Sequence, residues 1–183
     1  MLNEDADVFD RLARGQKPDL MWIGCSDSRI SPLTSLGLRD GEMFIHRNVA
    51  NLVAHSDMNC LSALQFAVDV LEVEHVIVCG HYGCGGVTAA FNDSRFGLVD
   101  NWLRHIQDTR QKHAAELAAI DSDAARLDKL CELNVIEQVA NLGQTSIVQD
   151  AWERGRTLYI HGWIYRIAEG RYRDLGVTIY SPA

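Results

Sequence analysis

Two short segments carry the groups that could do chemistry. Cys25-Ser26-Asp27-Ser28-Arg29 follows the apolar run Leu20-Met21-Trp22-Ile23-Gly24, and His81-Tyr82-Gly83-Cys84-Gly85-Gly86 follows His75-Val76-Ile77-Val78-Cys79-Gly80. Together they offer two thiolates, an imidazole and a carboxylate, a donor set suited to tetrahedral zinc. Cys25, His81 and Cys84 are the candidate fixed ligands for one zinc ion per chain, and Asp27 is an exchangeable fourth. Zinc with three fixed protein ligands and an open position activates water. The two-residue gap lets His81 and Cys84 reach one ion across a tight turn, and Gly83, Gly85 and Gly86 relieve its steric limits. Two thiolates cancel the charge of Zn²⁺ and leave a weaker Lewis acid than three histidines would. A neighbouring acceptor and cation then matter more for making hydroxide, and Asp27 and Arg29 are placed to be those groups. Taken singly, Cys25 also reads as a core thiol, and Asp27 with Arg29 as an ordinary ion pair on a turn. Spacing alone leaves a purely structural zinc site open. A phosphate loop fits poorly: Gly80-x-x-Gly83-x-Gly85-Gly86 matches neither the dinucleotide fingerprint nor a P-loop, and no Lys-Ser/Thr follows.

The elements that must position these groups alternate. Residues 19–24, 42–46 and 75–79 read as strands, with later strands near 157–163 and 175–180. Helices are expected over 5–14, 57–71 with Ser56 or Asp57 as cap, 84–91, 99–119, 123–142 and 144–154. Such alternation implies an α/β fold, a mostly parallel sheet flanked by helices. Ligands of such sheets bind beyond the carboxyl ends of the strands. Cys25 and His81 each follow a predicted strand, so topology delivers both to one sheet edge.

Composition narrows the function. The chain has 183 residues, 47% apolar and 23% charged, and reads as one domain over 1–183. No apolar stretch approaches the roughly 20 residues that span a bilayer. The acidic start, Met1-Leu2-Asn3-Glu4-Asp5, lacks a signal-peptide pattern, so a cytoplasmic protein is expected. A net charge of -8 without a Lys/Arg cluster argues against nucleic acid, and against long-range capture of anions. Five cysteines at irregular spacing are a poor disulfide framework. Cys60, Cys79 and Cys131 sit in apolar or helical runs and read as small buried hydrophobes.

These motifs resemble the β-class carbonic anhydrases. Cys-x-Asp-x-Arg and His-x-x-Cys-Gly-Gly carry the resemblance, with Gly41-Glu42-x-Phe44-x-His46-Arg47-Asn48-Val49-Ala50-Asn51, Gln65-Phe66-Ala67-Val68, Glu132-Leu133-Asn134-Val135 and His161-Gly162-Trp163. The resemblance covers nearly the whole chain. It implies reversible hydration of CO2 to bicarbonate and a proton by zinc-hydroxide attack, with Asp27 and Arg29 as a catalytic dyad. It assigns substrate contacts to Gln16 (acting from a dimer partner), to an apolar pocket at Phe44, Val49 and Phe66, and to Gly85. A homodimer or homotetramer follows. A bicarbonate-regulated bacterial subgroup resembles this chain more closely. There Asp27 takes the fourth zinc position in a closed state, and bicarbonate at a second site holds that state through Trp22, Arg47 and Tyr165. Two departures stand out. Ile30-Ser31-Pro32-Leu33 replaces Val/Ile-Pro-Ala-Glu after the dyad, and both the N-terminal arm and the C-terminal tail are short for the family. The alternatives are a hydrolase of a CO2 analogue such as COS or CS2, and a low-activity zinc- and bicarbonate-binding relic.

Overall fold

The computed structural model describes residues 7–181. Four parallel strands form the sheet: β1 (Leu20–Cys25), β2 (Met43–Asn48), β3 (His75–His81) and β4 (Tyr159–Arg166). The short strands β5 (Arg171–Asp174) and β6 (Ile179–Tyr180) both pair antiparallel with β4. The order is β2-β1-β3-β4-β5. β1 therefore sends the chain to β2 on one side and has β3 on the other, which makes the β1/β3 crevice the switch point of the sheet. Gly24 stands in register with Cys79, so the carboxyl ends of β1 and β3 lie side by side.

The central strands are buried on both faces, as parallel strands between helical layers must be. Met21, Ile23, Val76, Val78 and Ile160 point to one face and pack on α3 (Met58–Gln65), α7 (Asp123–Gly143) and α8 (Ser146–Glu153). Trp22, Ile77, Cys79 and Tyr165 alternate to the other face and meet Ile30, with Leu33 and Leu36 of α2 (Pro32–Leu36). A further cluster joins α4 (Gly85–Phe91) and α5 (Val99–Lys112) to α7. Close approach of α7 to the sheet depends on two glycines. A Cβ at Gly80 would sit 2.6 Å from Val135 Cγ2, and one at Gly162 would sit 3.1 Å from Val139 Cγ2.

Several expected boundaries move. The first helix, α1, runs Val8–Ala13, and residues 5 and 6 of its expected span lie outside the described residues. Asp57 does cap α3, accepting from the Asn59 amide at 3.1 Å. The α geometry ends at Gln65, however, and Phe66–Val70 widens to a π-turn in which the Leu71 amide reaches the Phe66 carbonyl. The expected 99–119 helix breaks at His113 (φ -104, ψ 22), giving α5 and α6 (Ala114–Ala118). His113 Nε2 lies 2.9 Å from Glu137 of α7, which anchors the break. Of the expected 175–180 strand only β6 forms, at Ile179–Tyr180, and β5 precedes that span as an unexpected strand. The segment after the dyad, outside every expected strand and helix, contains α2. Pro32 occupies its first turn, where no intrahelical N–H is needed, and Gly37 ends it in the left-handed region (φ 68). Among the described residues no helix is long and apolar enough to cross a membrane.

Candidate metal centre

Cys25 is the last residue of β1 and His81 the last of β3. The turn after His81 places Gly83 at φ 66, and Cys84 then precedes α4. The three donor atoms lie within 4.8 Å of one another. Cys25 Sγ and Cys84 Sγ are 3.9 Å apart. Two sulfurs bound to one tetrahedral zinc at about 2.3 Å each are separated by about 3.8 Å, so the pair is already spaced for the ion.

The imidazole fits equally well. His81 Nδ1 lies 3.0 Å from the Tyr82 carbonyl, which can only accept, so Nδ1 carries the proton and Nε2 presents its lone pair. Nε2 is buried and has no hydrogen-bonding partner. A buried acceptor with its lone pair aimed at two thiols suits a metal ligand. The hydrogen bond between the thiols pulls Cys25 down and pushes Cys84 up, so one thiolate alone is favoured unless a cation joins them.

Asp27 stands beside the trio. Arg29 grips its carboxylate with Nε on Oδ1 at 2.9 Å and Nη2 on Oδ2 at 2.6 Å, and the Arg29 amide adds 3.0 Å to Oδ1. These bonds hold the Asp27 carboxyl well below the usual carboxylate range. Arg29 Nη2 also reaches the Gly83 carbonyl at 3.2 Å, tying the dyad to the ligand turn. Asp27 Oδ2 lies 3.7 Å from His81 Nε2, beyond hydrogen-bond range.

Sequence reasoning missed the supports. Tyr82 donates to Glu132 at 2.6 Å, Arg173 bonds both, and the Arg166 guanidinium covers the Tyr82 ring at 3.9 Å. The Tyr82 carbonyl that orients His81 is thus itself held. Asn134 Nδ2 donates to the carbonyl of Ala50, whose φ of 65 turns the chain after β2. Glu132 and Asn134 were visible within a motif, but Arg173 had no signal of its own. Arg47 reaches the backbone carbonyls of Cys25 (Nε, 2.8 Å) and Asp27 (Nη2, 2.6 Å).

The other expected site residues divide. Phe44 and Phe66 stack at 5.9 Å, while Phe66 is 42% exposed and Val49 39%. Val49 Cγ1 would lie 3.0 Å from a Cβ at Gly86, which puts it beside the ligand turn. Gly85 begins α4 facing open space. Gln16 is exposed before β1 and bonds to none of the metal-site residues. Trp22, Arg47 and Tyr165 share one sheet face, and the Trp22 indole nitrogen lies over Gly24, the register partner of Arg47. Cys60, Cys79 and Cys131 are buried, and burial pushes Cys60 and Cys131 up to about 12. His46, Asp57 and Cys60 form another close trio. There the Asp57 carboxylate already caps α3, and no buried nitrogen or oxygen is left bare as it is at His81.

Cys25, His81 and Cys84 thus form a Cys₂His donor set suited to zinc at the switch point of a parallel sheet. The carbonic anhydrase family profile matches residues 20–172, and the chain belongs to that family. A carbonic anhydrase of Emericella nidulans is 42% identical over 173 residues, covering 94% of this chain and 76% of that protein. One of Pseudomonas aeruginosa is 38% identical over 170 residues, covering 90% and 76%. A tetrameric β-carbonic anhydrase of Sordaria macrospora superposes with a TM-score of 0.91 at 39% identity, over 97% of this chain and 90% of that one. The protein is accordingly a zinc enzyme that interconverts CO2 and bicarbonate.

Proposed function

We propose that Cys25, His81 and Cys84 hold the catalytic zinc and that Asp27 and Arg29 direct the reaction. Zinc bound there supplies the charge that makes water a nucleophile near neutral pH. Asp27, kept ionised by Arg29, accepts a hydrogen bond from the attacking oxygen and so turns its lone pair toward carbon. Arg29, which also donates to the Gly83 carbonyl, keeps that carboxylate from drifting. Phe44, Val49 and Phe66, with the open backbone at Gly85, form an apolar wall suited to a neutral linear substrate. Arg29 gives the anionic product a local positive charge on an acidic protein. The observation that carries this reading is the bare His81 Nε2 with the Arg29-held carboxylate 3.7 Å away. Stopped-flow hydration with a pH indicator tests it, with COS turnover measured on the same sample. CO2 should be much the faster substrate. Faster COS turnover would make the protein a hydrolase of that analogue, and zinc-replete protein at the uncatalysed rate would be the relic.

The active unit reads as a homodimer or homotetramer. Val49, Met58, Phe66 and Val70 are exposed apolar residues around the β2 and α3 side, and Gln16 is free to serve a neighbouring chain. Sedimentation of the zinc-loaded protein should show no monomer at micromolar concentration.

A second reading follows the bicarbonate-regulated subgroup. Bicarbonate at Trp22, Arg47 and Tyr165 would favour Asp27 on zinc over Asp27 on Arg29. Their shared sheet face supports it, as does the nearness of Asp27 to the candidate ligand His81. Tyr165→Phe removes one donor while keeping a packed ring. It should weaken bicarbonate inhibition at mildly alkaline pH by roughly 10-fold, within the usual range of coupling between sites. Identical inhibition of variant and wild type would end this reading.

A further inference from the structure

We infer that Arg47 is a positioning residue for the metal centre, holding the ends of the segment that presents Cys25 and Asp27. The inference concerns the loop clamp alone and does not depend on anion binding at Arg47.

Arg47 is on β2, in register with Gly24, one residue before the first ligand. From there its guanidinium lies along the departing chain. Nε donates to the Cys25 carbonyl at 2.8 Å and Nη2 to the Asp27 carbonyl at 2.6 Å. Two N–H groups of one rigid plane therefore fix the separation of two carbonyls, a task a lysine ammonium cannot repeat. Among the described residues no carboxylate pairs with Arg47, so both bonds are charge-assisted and uncontested.

The need for a clamp is local. The β1/β2 ladder gives out at the Ser26 amide on the Asn48 carbonyl (2.8 Å). Beyond it, among the described residues, the Asp27 carbonyl has one backbone partner, the Ile30 amide at 3.2 Å. The backbone planes of Cys25 and Asp27 set the directions of their side chains, one a thiolate ligand and the other the dyad acceptor. His81 and Cys84 have a different brace, since the Tyr82 side chain is bonded to Glu132 of α7. Without Arg47 the Cys25 end of the centre is the slack one. Groups that orient metal ligands from outside are worth about 10–100-fold in metal affinity.

Zinc release is the direct readout, because it is measured without turnover. Zinc-loaded full-length protein is mixed with a chromogenic chelator, for wild type, Arg47→Ala, Arg47→Lys and the remote control Arg156→Ala, whose partner is Glu72. Arg47→Ala should release zinc about 10–100-fold faster. Arg47→Lys, which can keep one carbonyl bond, should fall between. Millimolar guanidinium should slow release from Arg47→Ala and leave wild type unchanged, and the cobalt-substituted variant should show altered visible bands. Release from Arg47→Ala at the wild-type rate overturns the inference. So does fast release without guanidinium rescue and with unchanged cobalt bands, which would mark a general loss of stability. Should Arg47→Ala not fold, Arg47→Lys carries the same test, and a wild-type rate there overturns it equally.

Discussion

Cys25→Ser is expected to lose zinc and turnover together. A serine hydroxyl does not ionise near neutral pH, so the variant offers a weakly donating neutral oxygen where the metal needs a charged sulfur. The 3.9 Å sulfur pair that matches tetrahedral spacing is gone, and His81 with Cys84 alone makes a two-ligand site. Folding should survive, since Cys25 is only partly buried at a strand end and serine fills less volume. After dialysis, metal analysis should find close to no zinc per chain, against one in wild type. Turnover should fall by at least about a thousandfold, because water without the metal has a pKa far above working pH. Both measurements belong on the same preparation. A Cys25→Ser protein with full zinc and full turnover would remove Cys25 from the site.

Asp27→Asn is expected to separate the two functions. The substitution keeps the shape, removes the charge and leaves all three metal donors in place, so zinc content should not change. Turnover should fall by roughly 10²–10⁴, the usual contribution of a positioned acid–base group. The pH dependence has a definite sign. Arg29 holds the folded Asp27 carboxyl below its unfolded value of about 3.9. Its contribution to stability is therefore fully present above that unfolded value and is lost as pH falls through the folded one. Asp27→Asn should flatten that part of acid unfolding below about pH 4, leaving the pH–rate profile above it without any limb belonging to Asp27. An Asp27→Asn enzyme with wild-type turnover would show that the carboxylate is a bystander.

What the sequence revealed depended on the kind of interaction. Strands were legible where apolar runs stopped at residues of incongruous chemistry, as at Cys25 and His81, because parallel-sheet topology turns strand ends into neighbours. The cap at Asp57 was legible because N-caps have a side-chain code. Arg171–Asp174 was not read as a strand: this antiparallel edge is mostly exposed, and its Arg-Tyr-Arg-Asp sequence has no apolar run. α2 was hidden by its five-residue length, and the break at His113 by the helical periodicity on either side of it. The Arg47 contacts were hidden for a deeper reason. Their acceptors are backbone carbonyls, which every residue possesses and no residue type announces.

The two ends of the metal centre respond to solution conditions by different physics. His81 follows Gly80, where α7 packs so closely that Val135 leaves no space for a Cβ. That backing is apolar contact, indifferent to ionic strength and firmest at moderate temperature. Cys25 and Asp27 are kept in place by exposed guanidinium groups, whose pull weakens as dissolved ions screen them. The centre therefore combines one apolar backing that salt leaves alone with guanidinium contacts on both ligand segments, those of Arg47 and Arg29 on one and of Arg173 on Tyr82 on the other, that ionic strength weakens.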